Sequence, residues 1–477
     1  MSTPIADALV LVLPSAVSLR EWEATGVLGR EMALYERLRP LYNSIVIVSH
    51  GGSSEVQAAA SVAPWAAVVC NSEIERPQQY EESLPGRVVT ALASAREIVV
   101  KTTTLTDGSM AVRILDALRS AEVPGRRVGL LASGGRLSSR FTALEHGPNS
   151  LAACEAARHE RELGRWADVV AGTTRDMLED LAWRYELDPA AMMLVPNYVF
   201  GGGREGASRG LRSSEELAGA VAGSGSGDEP ERQPGLVLSA GRFTRRKRFD
   251  TLIRAIAGLP DSLREGVTLR LIGDGPEAPQ LFMLAEELGV VCDFVPPLGH
   301  SEMLAQMSMC CVYAQASELE GHPRAVLGAM STGAAVVVAD TPGLGDAIQS
   351  GVTGLRVVGD AASFTHAIGA LLADDDWRVI LGAAASRMVR ASYSLDVVVK
   401  QEIEAHRLTL ARAALAGRVR KSSVLWDRSL LSNGTESAAA EWERSLKEFE
   451  SLLSREEAAR FRRRLSRSAR LRDTDAA

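Results

Sequence analysis

Short apolar runs alternate with amphipathic stretches along the first two hundred residues. The run Ala8 to Leu13 is continuous and stops at Pro14, the signature of a strand buried on both faces. The same signature returns at residues 45–48, 66–70, 97–100, 128–131, 169–171 and 192–196. Helical periodicity fills the gaps at 29–38, 109–121, 151–161 and 176–185. Strands alternating with helices predict a parallel sheet covered on both sides, with ligands at the carboxyl ends of the strands. The loops at those ends are 14–29, 49–54, 101–109 and 132–141. They contain Gly26, His50, Gly51, Lys101 and Ser138. His50 and His146 are cleft-loop candidates, or ordinary surface histidines.

The pattern breaks at residues 201–234, which are rich in Gly, Ser and charge. Such a segment buries too little apolar surface to order itself, and reads as a flexible linker or insertion. At Leu236 the alternation restarts. Strands are expected at 236–239, 268–272, 291–295, 311–313, 335–339 and 354–358, with helices at 249–258, 276–288, 301–306 and 324–332. Beyond Tyr393 the pattern is purely helical, and 394–416 has the length to cross back to the first half. The expected organisation is therefore a first α/β domain (1–200), the linker (201–234), a second α/β domain (235–393), a crossing-back helix (394–416) and a helical basic tail (417–477). In the tail, Trp442, Leu446, Phe449 and Leu453 recur at helical spacing, and seven arginines lie between Arg460 and Arg472 with no acidic residue among them. That is either a docked helix with a solvated end or a basic amphipathic helix for a membrane surface or a protein partner.

At 477 residues the chain is long for one core, which agrees with two domains. A net charge of -7 argues against nucleic acid as a general partner, because phosphate backbones are held by a basic excess. The five cysteines are an odd count without paired metal spacing, and read as small buried hydrophobes in a reducing compartment. Residues 1–14 lack the basic start and cleavage site of a signal peptide, and no run of about 18 apolar residues is present. The expected location is the cytoplasm, with the tail offering peripheral attachment at the inner membrane face. The motifs call for no cofactor and no metal.

Candidate chemistry gathers in the second half. Gly241-Arg242-Phe243-Thr244-Arg245-Arg246-Lys247 follows the first strand there. Arg242 offers a planar fork for phosphate oxygens and Lys247 a mobile point charge. With Arg245, Arg246 and Arg248 alongside, the alternative is a solvated basic turn. Gly273-Asp274-Gly275-Pro276 and Thr341-Pro342-Gly343-Leu344-Gly345 are explained as turns, the latter also able to offer backbone N–H groups to a ligand. Glu320-Gly321-His322-Pro323-Arg324 says more. Pro323 suits a first helical turn, and the helix after it aims its positive end at the cleft, a seat for an anion. A carboxylate just before that seat suits a neutral, hydroxyl-rich moiety. Phosphate and hydroxyl recognition side by side point to a nucleotide-sugar.

These segments carry a resemblance. Residues 236 to about 358 resemble the donor domain of the retaining family-four glycosyltransferases, also called glycosyl transferases group 1. Gly241-Arg242-Phe243 with Lys247 is similar to the family's diphosphate motif. The run Leu271 to Pro276 is similar to its next strand and turn, Ser317 to Met330 to its Glu-Gly-Asn-Pro-Lys helix motif, and Gly351 to Leu355 to its last common motif. The first half resembles the family's acceptor domains more loosely, through Gly26 to Tyr35, Ser49 to Gly52 and Val195-Pro196-Asn197.

The resemblance implies a GT-B fold: two Rossmann-like, doubly wound parallel-sheet domains facing a cleft, here with a helical C-terminal tail. It implies transfer of a sugar, with retention, from a nucleotide-diphosphate sugar to a glycan or glycolipid acceptor. Arg242, Lys247 and Glu320 would be the catalytic residues. Gly241, Gly273, Asp274, Gly275, Gly321, His322, Pro323, Arg324, Leu327 and Gly328 would line the donor site, and Gly26, His50, Gly51, Lys101 and Ser138 the acceptor side. Three positions depart from the family pattern. Gly328 stands where a second Glu holds the donor ribose, Pro296 where Gly is usual, and Ala132-Ser133 where Arg before Cys or Thr is common. Losing one charge-assisted contact costs about 1.5–3 kcal/mol, roughly tenfold to a hundredfold in affinity. The alternative is a degenerate GT-B protein serving as scaffold or regulatory partner of an active enzyme.

Overall fold

The computed structural model describes residues 4–199 and 232–416, apart from residues 16, 73, 74, 107 and 122. The expected linker, except residues 232–234, and the basic tail lie outside the described residues. Residues 138–158 form a separate compact unit carrying the helix Ser138–His146 and the first turns of the helix Leu151–Trp166. Both sheets belong to the other unit.

The first sheet has seven parallel strands: β1 (Ala6–Val12), β2 (Tyr42–Val48), β3 (Ala67–Val69), β4 (Glu97–Thr102), β5 (Arg127–Gly134), β6 (Val169–Gly172) and β7 (Met192–Leu194), in the order β3-β2-β1-β4-β5-β6-β7. The second has six, β8 (Leu236–Ala240), β9 (Thr268–Ile272), β10 (Cys292–Val295), β11 (Val312–Gln315), β12 (Ala335–Ala339) and β13 (Leu355–Val357), in the order β10-β9-β8-β11-β12-β13. In both sheets the strand order reverses next to the first strand. A crevice opens at such a switch point, outside the strands' carboxyl ends, because the flanking connections leave to opposite faces. In the second sheet the switch lies between β8 and β11, which pair through Val312–Val237 and Tyr313–Leu238. The fold is GT-B, two Rossmann-like domains each around its own apolar core.

Every expected strand is present: the central ones are buried apolar runs, while β3, β7, β10 and β13 are only partly covered. The differences lie in the helices. The loop expected at 14–29 contains the helix Leu19–Ala24, and the helix expected at 301–306 spans His300–Met309. The helix Pro77–Ala91 carries Pro85 in its interior, which hides it from periodicity reading.

The helix Leu395–Ala416 packs on β4, β5, β6 and the helix Leu28–Leu38 of the first domain. It lies so close to β5 that a Cβ at Gly129 would meet the Thr409 backbone. A buried polar cluster fastens it. Lys101, at the end of β4, pairs with Glu402, whose Oε1 is also 2.9 Å from His406 Nε2, and Tyr42 Oη lies 2.5 Å from His406 Nδ1. Burial pushes the Glu402 carboxyl up, but the Lys101 ammonium and His406 outweigh it and hold it at about 2.

Candidate functional site

The two stretches singled out in the second half meet at the β8/β11 switch point. After β8, the chain turns through Gly241 into a 3₁₀ turn, Arg245–Lys247. After β11, it runs through Ser317 and Glu320 into the helix Arg324–Ser331. Lys247 Nζ lies 2.5 Å from Glu320 Oε1, joining them across 73 residues. The ammonium also folds back over Gly241, where a Cβ would stand 3.5 Å from it.

Glu320 is held from several sides. Gln315 Nε2 donates to its Oε1 at 2.8 Å, and Arg246 Nη1 stands 3.8 Å away while donating to the Leu319 carbonyl at 3.0 Å. Burial raises the Glu320 carboxyl, but Lys247 and the hydrogen bonds around it bring it below its ordinary value. The Glu320 N–H donates to the Pro342 carbonyl at 3.0 Å. Gly343 (φ +82°) lies against the carbonyls of Glu320 and Gly321, where any Cβ would overlap both oxygens. The turn at 341–345 is therefore a brace under the Glu320 loop.

Arg242 is different. It is exposed, and among the described residues its side chain makes no hydrogen bond or ion pair. The basic turn is not uniformly solvated as the sequence alternative had it. Arg246 is 8% exposed and bonded to Leu319, and Arg248 pairs with Glu318 at 3.0 Å.

Gly273 and Gly275 are set by packing. A Cβ at Gly273 would overlap the Gly241 carbonyl, and one at Gly275 the Phe243 carbonyl. Phe243 N–H donates to the Asp274 carbonyl at 2.8 Å, and Asp274 Oδ1 accepts from Gly275 N–H at 2.7 Å. The loops after β8 and β9 are thus interlocked.

In the helix Arg324–Ser331, Leu327 N–H donates to the Pro323 carbonyl at 3.0 Å. The N–H groups of Arg324, Ala325 and Val326 consequently have no acceptor within the helix. Leu327 is buried in the core of the second domain, so its side chain is core and its N–H is spent in the helix. Gly328 is buried too, and its missing Cβ points at Met307 Sδ, 3.2 Å away on the helix His300–Met309. Pro323 is buried, and Arg324, though exposed, pairs with Glu31 of the first domain. Burial raises Glu31, and Arg324 and Arg30 more than reverse it.

The first domain closes on these loops. A Cβ at Gly321 would overlap the Gly135 carbonyl, and one at Gly26 (φ +68°) would touch Gly299 Cα at 3.5 Å. Asn197 N–H donates to His322 Nδ1 at 3.1 Å, and its side-chain amide to the His322 carbonyl at 2.8 Å. Burial, and then Arg324, lower the His322 imidazole to about 4.

Of the acceptor-side candidates, Lys101 is corrected. It is buried, its ammonium is taken by Glu402, and it lies 5.1 Å over the Tyr35 ring, so it fastens a helix rather than offering a free cation. His50 is half-buried against Tyr80. Gly51 N–H donates to Ser49 Oγ at 3.3 Å, and a side chain at Gly51 would collide with Glu55. Ser138 begins the helix of the separate unit, and His146 ends it, exposed. Sequence reading missed Glu55, a buried carboxylate accepting from Leu19 N–H at 2.8 Å, Arg20 N–H at 3.2 Å and Ser49 Oγ at 2.6 Å. It also missed Gln315, whose partner Glu320 is five residues on, and Glu31 and the Asn197–His322 pair, whose partners are distant in sequence. Among the described residues, no group of three or more His, Cys, Asp or Glu side chains is placed to hold a metal ion, and no helix is long and apolar enough to cross a membrane.

Residues 227–388 match the family model of glycosyl transferases group 1. The chain is 32% identical over 172 residues to the lipopolysaccharide core biosynthesis glycosyltransferase LpsE of Rhizobium meliloti (strain 1021), covering 36% of this chain and 49% of that protein. It is 33% identical over 195 residues to the D-inositol 3-phosphate glycosyltransferase of Corynebacterium urealyticum, covering 38% and 46%. The chain thus spans about half the length of the curated relatives it matches. Among solved structures, Anabaena HepE in complex with UDP and glucose superposes with a TM-score of 0.61 at 16% identity, covering 83% of this chain and 98% of that one. At that identity the likeness is one of fold.

Proposed function

We propose, for a GT-B chain whose residues 227–388 belong to the glycosyl transferases group 1, that it moves a sugar from a nucleotide-diphosphate sugar to a glycan or glycolipid acceptor. The observation that carries this reading is the convergence at the β8/β11 switch point. There Lys247 meets Glu320 just before the helix Arg324–Ser331, and the Lys247 loop also holds Arg242, whose side chain has no partner among the described residues. Names of similar proteins agree with it: two are glycosyltransferases, and HepE was solved with UDP and glucose.

In this reading the diphosphate lies against the first-turn amides of that helix, with Arg242 and Lys247 as its cations. Glu320 accepts from Lys247 and from sugar hydroxyls. As the bond from the anomeric carbon to the phosphate oxygen breaks, negative charge grows on the diphosphate. A cation already fixed there, as Lys247 is by Glu320, lowers the barrier because it need not reorganise. The acceptor oxygen bonds to the same carbon on the face the diphosphate leaves, so configuration is retained, and the acceptor proton passes to the departing diphosphate. The absence of a carboxylate at Gly328 leaves the donor ribose without that contact and weakens donor binding. The seven arginines at 460–472 suit an anionic membrane surface or an acidic protein partner.

Incubation with UDP-, GDP- and ADP-sugars tests the proposal through release of nucleoside diphosphate. Release with one of them is expected. Folded protein that releases none, with and without glycan acceptors, rejects it.

A further inference from the structure

The chain leaves the first sheet through residues 195–199 and turns back to the first domain at residues 393–395. The passages lie side by side: Val199 N–H donates to the Tyr393 carbonyl at 2.9 Å, and Val199 bridges Ser394. His322, 7% exposed, touches both. Its Nδ1 and its carbonyl both accept from Asn197, at 3.1 and 2.8 Å, and its ring meets that of Tyr393 edge to face at 4.9 Å. Gripping one residue by main chain and side chain together leaves it no independent motion. The residues gripped with it are Glu320 and Gly321 on one side and the start of the helix Arg324–Ser331 on the other.

We infer that His322 is a positioning residue that ties the angle between the two domains to the shape of the Glu320–Pro323 loop. Rotation of the first domain about the two passages moves Asn197, and through His322 it moves the peptide that leads into the helix. Gly321 gives the coupling a stop, since its backbone already abuts Gly135 of the first domain. For Nδ1 to accept, the ring must be neutral with its proton on Nε2. The depressed imidazole value agrees with that form. The kinetic part of this inference rests on the sugar-transfer reading; the structural part does not.

Two variants test it. His322→Leu keeps bulk and removes the acceptor, whereas His322→Asn places Oδ1 near the position of Nδ1. In full-length protein, His322→Leu should lower kcat for transfer about tenfold or more while changing donor KM less than about threefold, and His322→Asn should recover most of kcat. Amide exchange at Asn197 should be at least about tenfold faster in His322→Leu than in the wild type and in His322→Asn. Unchanged kcat in His322→Leu, an equal loss in kcat and affinity without rescue by Asn, or unchanged exchange at Asn197 each overturns the inference. If the wild type transfers from no nucleotide-sugar, the transfer reading falls by itself. The exchange rates at Asn197 and at 320–323 then decide: faster exchange at both in His322→Leu upholds the coupling, and equal rates end it.

Discussion

Glu320→Gln isolates the interaction at the centre of the site. The substitution keeps the side chain's shape and one acceptor oxygen, and removes the charge facing Lys247. The two side chains are 11% and 14% exposed, so water screens the pair only weakly. A charge-assisted hydrogen bond in such surroundings contributes about 1.5–3 kcal/mol, and breaking a fully buried pair costs about 3–5 kcal/mol, which sets the ceiling. At about 2–4 °C per kcal/mol for a domain of this size, Tm of the second domain should fall by about 3–12 °C at pH 7, with about 20 °C as the ceiling. The pH dependence carries a sign. The Glu320 carboxyl is held below its unfolded value, so the stability it contributes is complete above about pH 4.5 and is lost as pH falls through the folded value. Scanning calorimetry of both proteins between pH 8 and about pH 3 should therefore show a constant gap down to about pH 4.5 that narrows below it. A gap under about 1 °C at pH 7, or one that does not narrow on acidification, would refute the reasoning.

Other perturbations follow from the same geometry. Lys101→Met leaves Glu402 buried without its cation and should cost about 3–5 kcal/mol, much of it recovered in Lys101→Met/Glu402→Leu; denaturant midpoints measure both. Gly343→Ala puts a Cβ on two carbonyl oxygens at φ +82° and should cost at least about 2 kcal/mol while weakening nucleoside diphosphate binding, read by thermal melts and calorimetry. His322 is neutral in the fold down to about pH 4, whereas the unfolded chain protonates near pH 6.5. Its contribution is thus complete above about pH 6.5 and lost between there and pH 4, and His322→Asn should flatten the wild-type stability profile in that window.

The strands were legible because each is a short apolar run bounded by turn residues, and the central ones, such as β1, β8, β11 and β12, are almost wholly buried, whereas β3, β7, β10 and β13 are only partly so. Strand order then placed Lys247 and Glu320 at one switch point, though nothing local to either shows that they touch. Lys101 shows the opposite limit. At the end of a strand it reads as a cleft cation, but its partner Glu402 comes 301 residues later, on a helix whose return to the first sheet only the fold reveals. Arg246 looked solvated among basic neighbours for the same reason, since the Leu319 carbonyl that buries it is 73 positions away. Gly273 and Gly275 match a family motif, yet the backbone of the neighbouring loop accounts for both.

The most direct measurement is calorimetric titration of UDP, GDP and ADP into the wild type and into Arg242→Ala. Arg242 is exposed and has no side-chain partner among the described residues, so its removal should leave Tm unchanged. One nucleoside diphosphate should bind the wild type, and Arg242→Ala should weaken it about tenfold to a hundredfold. Equal affinity in the two proteins, or no binding of any of the three to the wild type, would contradict a diphosphate seat at the β8/β11 switch point.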